Sequence, residues 1–395
     1  MQIHVVIPAH NEAAGITATI ESVRAQTRPP HSVTVVADNC DDATSELAEA
    51  AGAGVFATVG NTHRKAGALN QYLDRLLPSL DADDVVLVMD ADTRLSDSFL
   101  ETATRLLGAD EVLGAVGGVF VGAEPTSWLE HAQANEYARY ARDIARHGGR
   151  VMVLTGTATA FRAQALRDVE AARGERLPGL PGTVYDVGAL TEDNEMTLAL
   201  KHLGWQLVSP KQCVVWTELM PTVGDLHRQR LRWYRGAVDN LRTYGLTRVT
   251  ARYWGQQAML ALSVAVFGLL LLLTLAGVLT GTLRVSLMWS LVGLGFLLEG
   301  VVSSWRTGSR RGRLLSALLF PELFFDLVLQ ATFLRAVSHS LRGTTAAWHH
   351  VGAAETPAGP AQTPNGRHRA DATPPVAQRV PQTQAHRITS TKELV

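Results

Sequence analysis

Charge is scarce in this 395-residue chain: Asp, Glu, Lys and Arg make up 18%, below the ~25% usual in soluble domains, against 46% hydrophobic residues. The apolar excess is local. It lies mostly within residues 258–337, which divides the chain into a polar globular part and a lipid-facing part. A net charge of -1 provides no field for nucleic acid, and no zinc finger or basic helix is present, so nucleic acid is excluded as a partner. Two cysteines, Cys40 and Cys213, are too few for a disulfide framework and lack zinc-site spacing; they suit a reduced compartment. The N-terminal residues show neither a basic region nor a long apolar core, so no secretory leader is expected. No Gly-x-Gly-x-x-Gly follows the first apolar run, which removes a dinucleotide-binding dehydrogenase from consideration, and no internal repeat is visible.

What is present is alternation. Runs 3–7, 33–37, 55–59 and 85–89 read as strands, the first stopped by Pro8; residues 11–25, 44–51 and 66–77 between them read as helices. Continuous Val/Ile/Leu strands separated by helices predict an α/β domain whose mostly parallel sheet is covered on both faces. Such sheets bind ligands beyond the carboxyl ends of their strands. The turn from Pro8 to Glu12 falls there, as do Asp38, Asp90 and Asp92. Further along, 127–146 reads as a helix and 151–160 as a strand with a Gly turn. Residues 174–187 form a Gly/Pro-rich loop expected to be mobile, 190–203 a helix, 204–208 the start of a strand, and 227–241 a helix.

Residues 258–280 carry no charge and are long enough for a ~20-residue span. Residues 285–302 read as a second span, marred by Glu299. Arg306, Arg310, Arg311 and Arg313 follow it and mark the cytosolic side. Residues 314–337 are apolar but interrupted by Pro321, Glu322 and Asp326; an interfacial or partly inserted segment is favoured there over a third span. The expected organisation is a cytosolic catalytic domain at 1–245, an interfacial connector at 246–257, a membrane region of two or three helices at 258–337, and a disordered Pro/Thr/Gln/Ala-rich tail at 354–395. The expected location is the plasma membrane, multi-pass, in contact with membrane lipids.

Several residues can carry chemistry. Asp90-Ala91-Asp92 closes a strand, so its two carboxylates can share one ligand set and bind Mg²⁺ or Mn²⁺; a polar turn with a helix-capping Asp is the plain alternative. Asp38 closes another strand and could accept bonds from a base, whereas Asp41 and Asp42 suit helix capping before Thr44. Lys65, at a helix start, can meet a phosphate or be a solvated surface lysine. In Thr191-Glu192-Asp193, Asp193 can act as a general base; equally, Thr191 can be a helix cap with acids in the first turn. Gln229 and Arg232 share a helix face, Arg232 can bind a diphosphate, and Trp233 can stack on a sugar; the same residues would also anchor an interfacial helix.

Taken together, the strings Pro8-Ala9-His10-Asn11-Glu12, Ala37-Asp38-Asn39, Lys65-Ala66-Gly67-Ala68-Leu69-Asn70, Asp90-Ala91-Asp92, Thr155-Gly156-Thr157, Thr191-Glu192-Asp193 and Gln229-x-x-Arg232-Trp233 make the chain resemble the family 2 glycosyltransferases of GT-A fold. The resemblance covers 1 to about 245, and the membrane region is similar to the branch holding cellulose, chitin and hyaluronan synthases. It implies that Glu12 and Asp38 contact the nucleoside, framed by Pro8 and Ala9, and that Lys65 approaches the diphosphate. Asp90 and Asp92 would sit at the ribose and metal, Asp92 the more direct ligand. Thr155, Gly156 and Thr157 would lie near the acceptor's terminal sugar. Asp193 would be the base, with Glu192 beside it on the acceptor side, and Gln229, Arg232 and Trp233 would close over diphosphate and acceptor.

The implied reaction is inverting transfer from a nucleotide-sugar, foremost a UDP-sugar, to a saccharide or lipid-linked acceptor. Three outcomes stay open: processive polysaccharide synthesis, single-sugar transfer to a lipid, and an inactive nucleotide-binding scaffold. These few helices are fewer than a polysaccharide channel needs, so export would call for a partner subunit.

Overall fold

The structure is a computed structural model describing residues 1–284, 286–304 and 310–343. The expected disordered tail and Arg306 lie outside the described residues. The first half runs β1 (Ile3–Ala9), α1 (Ile16–Arg24), β2 (Ser32–Ala37), α2 (Thr44–Ala50), β3 (Gly54–Ala57), α3 (Arg64–Leu76), β4 (Val85–Met89), β5 (Arg94–Leu95), α4 (Phe99–Ala109), β6 (Leu113–Gly117) and β7 (Val119–Gly122). It continues through α5 (Trp128–Arg146), β8 (Ala158–Arg162), α6 (Ala163–Ala172), α7 (Glu192–His202), β9 (Gln206–Val208), β10 (Val214–Thr217) and α8 (Val223–Tyr244). The helices α9 (Ala251–Leu279), α10 (Leu287–Ser304), α11 (Arg310–Ser316) and α12 (Leu319–Leu341) follow.

Among the described residues, the strands form one seven-stranded sheet, ordered β3-β2-β1-β4-β8-β6-β9, and a three-stranded sheet ordered β5-β10-β7. Every residue of β1, β4, β6 and β8 is buried, as two covered faces require. The parallel character holds for four pairings in the larger sheet; β8 is the exception, antiparallel to both β4 and β6. This reversal brings the start of β8 beside the carboxyl end of β4, with Met89 opposite Ala158.

Several expected boundaries change for local reasons. β1 does not stop at Pro8 but continues to Ala9. Its pairing with β4 ends at Val6–Val88, and Ala9 faces β2, where its carbonyl accepts from Asp38. Pro8, one residue earlier, therefore faces the side where the ladder has ended, and its missing N–H forfeits no ladder bond. The helix expected from residue 11 begins only at Ile16, because Asn11 is left-handed (φ 57°) and Glu12 to Gly15 form a turn. Residues 151–157 are irregular and only β8 is strand. α8 begins four residues earlier than expected, where the Thr222 hydroxyl accepts from Asp225 N–H at 3.1 Å.

The 174–187 loop, expected to be mobile, is anchored: Leu177, Val184 and Tyr185 are buried in the core. Asn70 of α3 clamps it, donating to Tyr185 O at 2.8 Å and accepting from Tyr185 N–H at 2.8 Å. Arg173 donates to Val184 O at 2.8 Å and Pro178 O at 2.9 Å, and pairs with Glu195 Oε2 at 2.7 Å.

Among the described residues, α9 alone is long and apolar enough to cross a membrane, with 29 residues and a mean hydropathy of 2.6 over an 18-residue stretch. It starts inside the expected connector, so the connector is half helical. Leu262, Val266, Leu269 and Leu272 on it are exposed, while Tyr253 in its first turn is buried against the catalytic domain. The apolar stretch 314–337 is split at the α11–α12 break. α12 then lies along α8, where the Thr332 hydroxyl is 2.7 Å from His227 Nδ1 and Ser340 donates to Asp239 at 2.5 Å.

The Arg173–Glu195 pair is nearly free of solvent, at 0% and 2% side-chain exposure. Removing one partner strands the other charge, so Arg173→Met is expected to destabilise the domain by about 3–5 kcal/mol. Chemical denaturation would register this as a lower midpoint, and Glu195→Gln in the same chain should recover part of the loss.

Candidate active site

The carboxyl-end rim of the larger sheet is built from strained turns. Asn11, Asn39 and Arg64 all adopt left-handed backbone, with φ of 57°, 50° and 55°; no other non-glycine residue does so among the described residues. Such conformations persist where surrounding contacts over-determine them, and they concentrate at ligand sites. Here the contacts are visible: Asn11 Oδ1 accepts from Asp41 N–H at 2.9 Å, and Asn61 donates to Arg64 O at 2.8 Å.

Asp38, buried at the end of β2, has one carboxylate oxygen saturated. Its Oδ1 accepts from Thr58 at 2.8 Å, Asn61 at 2.8 Å and Asn39 at 3.0 Å. Glu12 lies in the same acidic field as the strand-end aspartates: burial, then Asp92, Glu218 and Asp90, push its carboxyl up to about 7.

The antiparallel β8 fixes the next part. Asp90 N–H donates to Thr157 O at 2.9 Å, one step beyond the β4–β8 ladder. Residues 155–157 therefore fold over the aspartates, with the Thr155 and Thr157 hydroxyls 2.7 Å apart. Lys65 Nζ reaches Asp90 Oδ1 at 2.6 Å, Glu192 Oε1 at 2.9 Å and Gly156 O at 3.5 Å. Burial opposes its charge, but Asp90 and Glu192 outweigh that and hold it protonated. The lysine that the resemblance places near the diphosphate also bridges two carboxylates.

Asp193 sits in the first turn of α7. Its Oδ2 accepts from Gly156 N–H at 3.0 Å and its Oδ1 from Asn194 N–H at 2.7 Å. A Cβ on residue 156 would stand 3.1 Å from that Oδ2, so glycine is what allows the close approach. Burial and the neighbouring Glu192 push the Asp193 carboxyl up to about 6. Burial also disfavours charge on Glu192, yet Lys65 and Arg232 draw it down to about 2. Two adjacent carboxyls are thus pushed apart: Glu192 is held towards its charged form and Asp193 towards its protonated one. Lys65, Thr155, Gly156, Tyr185, Glu192 and Asp193 line one narrow cleft. Thr191 is no ordinary cap: its side chain makes no capping bond, and its hydroxyl instead accepts from Asn240 of α8 at 3.3 Å.

Burial and the nearby Asp90 and Glu218 push Asp92 up to about 6. Among the described residues no group of three His, Cys, Asp or Glu side chains surrounds a metal position. Asp90 and Asp92 offer only oxygen donors in an acidic surrounding, a donor set that would suit a hard divalent cation.

α8 completes the site by docking on α7. A Cβ on Gly236 would meet Thr191 Oγ1 at 2.3 Å, and Asn240 donates to Thr191 O at 3.2 Å and Asn194 Oδ1 at 2.9 Å. Arg232 thereby acts on Glu192 and Asp193. Gln229 Oε1 is buried without a hydrogen-bond partner among the described residues, and Trp233 lies against the guanidinium of Arg230.

Sequence reading missed Asn70, Glu218 and Arg230. Asn70 and Arg230 stand inside quoted strings and could have been singled out; Glu218 follows β10 and carries no local signal. Lys65→Met should raise the titration points of both Glu192 and Asp193, because each loses a stabilising cation; carboxyl ¹³C shifts followed against pH would report it.

A family model described as glycosyltransferase like family 2 matches residues 1–236. The poly-beta-1,6-N-acetyl-D-glucosamine synthase of Staphylococcus aureus (strain COL) is 26% identical over 254 residues, covering 62% of this chain and 57% of that protein. The protein of the same name from Staphylococcus epidermidis is 24% identical over 241 residues, covering 60% and 54%. The chain therefore matches little more than half the length of these relatives. A mannosyltransferase from Pyrobaculum calidifontis, solved with GDP-Man and Mn²⁺, superposes with a TM-score of 0.57 at 16% identity over 87% of this chain and 88% of that one, and shares the fold.

Proposed function

The chain belongs to the family 2 glycosyltransferases, and on that premise we propose that it transfers a sugar from a UDP-sugar to a saccharide acceptor, with inversion, at the cytosolic face of a membrane. The observation that carries this reading is the place of Asp193: its carboxylate accepts from Gly156 N–H in the cleft it lines with Lys65 and Glu192, and Lys65 reaches from there to Asp90.

In this reading Pro8, Ala9, Glu12 and Asp38 hold the nucleoside. Gln229 and Arg232 meet the diphosphate, and Asp90 and Asp92 hold Mg²⁺ or Mn²⁺, which would neutralise charge on the leaving diphosphate. Asp193 takes the proton of the acceptor hydroxyl as its oxygen bonds to the anomeric carbon. The bond from that carbon to the diphosphate breaks on the opposite side. Glu192, kept ionised, cannot compete for the proton. Thr155, Gly156, Thr157 and Trp233 position the acceptor.

The relatives are named as polysaccharide synthases, which supports a growing saccharide as acceptor. One observation supports a lipid-linked acceptor instead. Tyr253, in the first turn of the apolar α9, donates to Met152 O at 2.5 Å, just before the 155–157 turn, and Lys201 donates to the same hydroxyl at 2.7 Å. Membranes containing the chain, given labelled UDP-N-acetylglucosamine and Mn²⁺, separate the readings: long polymer supports synthesis, a single-sugar lipid supports the second, and no turnover with any UDP-sugar removes both.

Asp193→Asn should lower transfer by about 10²–10⁴ while Mn²⁺-dependent UDP binding persists. With the unchanged chain, kcat/KM should fall about tenfold per pH unit below about 6, because the base must be unprotonated and Asp193 titrates there. A flat profile down to pH 5 would remove Asp193 from the role. Asp92→Ala should abolish the Mn²⁺ dependence of UDP affinity, measured by calorimetry.

A further inference from the structure

Two arginines stand two positions apart on α8 and face different things. Arg232 acts on the Glu192–Asp193 pair. Arg230 points the other way and is 2% exposed. Its NH2 donates to Glu136 Oε2 at 2.7 Å. Its guanidinium carbon lies 4.2 Å from the centre of the Trp233 ring and 5.5 Å from that of Tyr137. Its Nε has no hydrogen-bond partner among the described residues. A buried cation with an unmet donor is a costly filler; an aliphatic side chain of similar size would pack there without that cost. What only arginine supplies is a flat, charged face that stacks on an indole while its edge is pinned by a carboxylate.

The pin is itself rigid. Glu136 and Tyr137 belong to α5, whose start carries a reciprocal Ser127–Glu130 capping box. Phe120 of β7 packs edge-on to Tyr137 at 4.7 Å. Gln133 of α5 donates to Met220 O at 2.9 Å and accepts from Met220 N–H at 3.0 Å, fastening α5 to the segment that leads into α8. One face of the half-buried Trp233 is therefore set by a chain of contacts running back to the sheet.

We propose that Arg230 is a positioning residue, held by Glu136, that fixes the plane of the Trp233 indole and so sets acceptor binding. The proposal rests on the acceptor role given to Trp233 above. It requires that Arg230 act through Trp233 alone and leave the donor side untouched.

The test uses the full chain in detergent, labelled with 5-fluorotryptophan, the Trp233 resonance being assigned by its loss in Trp233→Phe. Arg230→Lys and Glu136→Gln should shift and broaden that resonance and leave the other seven tryptophan signals in place, since the chain has eight. With UDP-N-acetylglucosamine as donor and a β-1,6-linked N-acetylglucosamine oligosaccharide as acceptor, both variants should raise the acceptor KM roughly five- to tenfold. Donor KM and UDP affinity should change less than about twofold, and in a Trp233→Ala background Arg230→Lys should add nothing. Glu136→Gln, at a partly exposed site, serves where an Arg230 variant fails to fold. An unmoved Trp233 resonance, a parallel rise in donor and acceptor KM, or additivity with Trp233→Ala overturns the proposal. Trp233→Ala with unchanged acceptor KM instead removes the acceptor role of Trp233 and the proposal with it, whereas an effect of Trp233→Ala with none from Arg230→Lys removes the proposal alone.

Discussion

The ammonium of Lys65 joins the two halves of this site. Asp90 comes from the end of a strand laid down early in the chain, Glu192 from a helix about a hundred residues later, and one cation within 3 Å of both holds them together. Without it, Asp90, Asp92, Glu192 and Asp193 would be a cluster of like charges, and the most buried of them would protonate or separate. The lysine also decides how the two α7 carboxyls divide. Glu192 takes the direct ion pair and stays charged; burial and the repulsion of that neighbour raise the proton affinity of Asp193, against the opposing pull of Lys65 and a backbone N–H, to where a base is useful.

The sheet topology serves that same cluster. In a wholly parallel sheet β8 would have the residues that precede it at the opposite end from the rim that carries Asp90. Its reversal places Thr155, Gly156 and Thr157 on the rim at the point where β4 delivers its aspartates. Gly156 then approaches Asp193 closely, and Gly236 lets α8 come onto Thr191. Two missing side chains thus permit the close packing around α7.

How much of this was legible in the sequence depended on whether the cause was local. β4 was read at its true bounds, because five apolar residues between polar turns admit no other reading, and its strand-end aspartates followed from it. The parallel β1, β2 and β3 came through for the same reason. The start of α1 was misread because the left-handed turn at Asn11 is held by residues about thirty positions away: Asn11 Oδ1 accepts from Asp41 N–H, and Thr44 and Asp42 accept from Glu12 N–H and Ala13 N–H. The 174–187 loop looked mobile by composition, yet its order comes from Asn70 and Arg173, two residues outside it. Asp38, Asp90, Glu192 and Asp193 were singled out as candidates, but that Lys65 bridges carboxylates, and that Glu218 joins their field, depends on contacts spanning 25 to more than 100 residues.

The backbone contact between α8 and Thr191 carries a consequence for how this enzyme can change over evolutionary time. Each residue of an α-helix turns its neighbours by about 100°, so a single deletion or insertion between Arg232 and Gly236 would swing one of them to another side of the rod. Gly236 must meet Thr191 while Arg232 stays turned to the α7 carboxyls. The four-residue phase between them is therefore fixed.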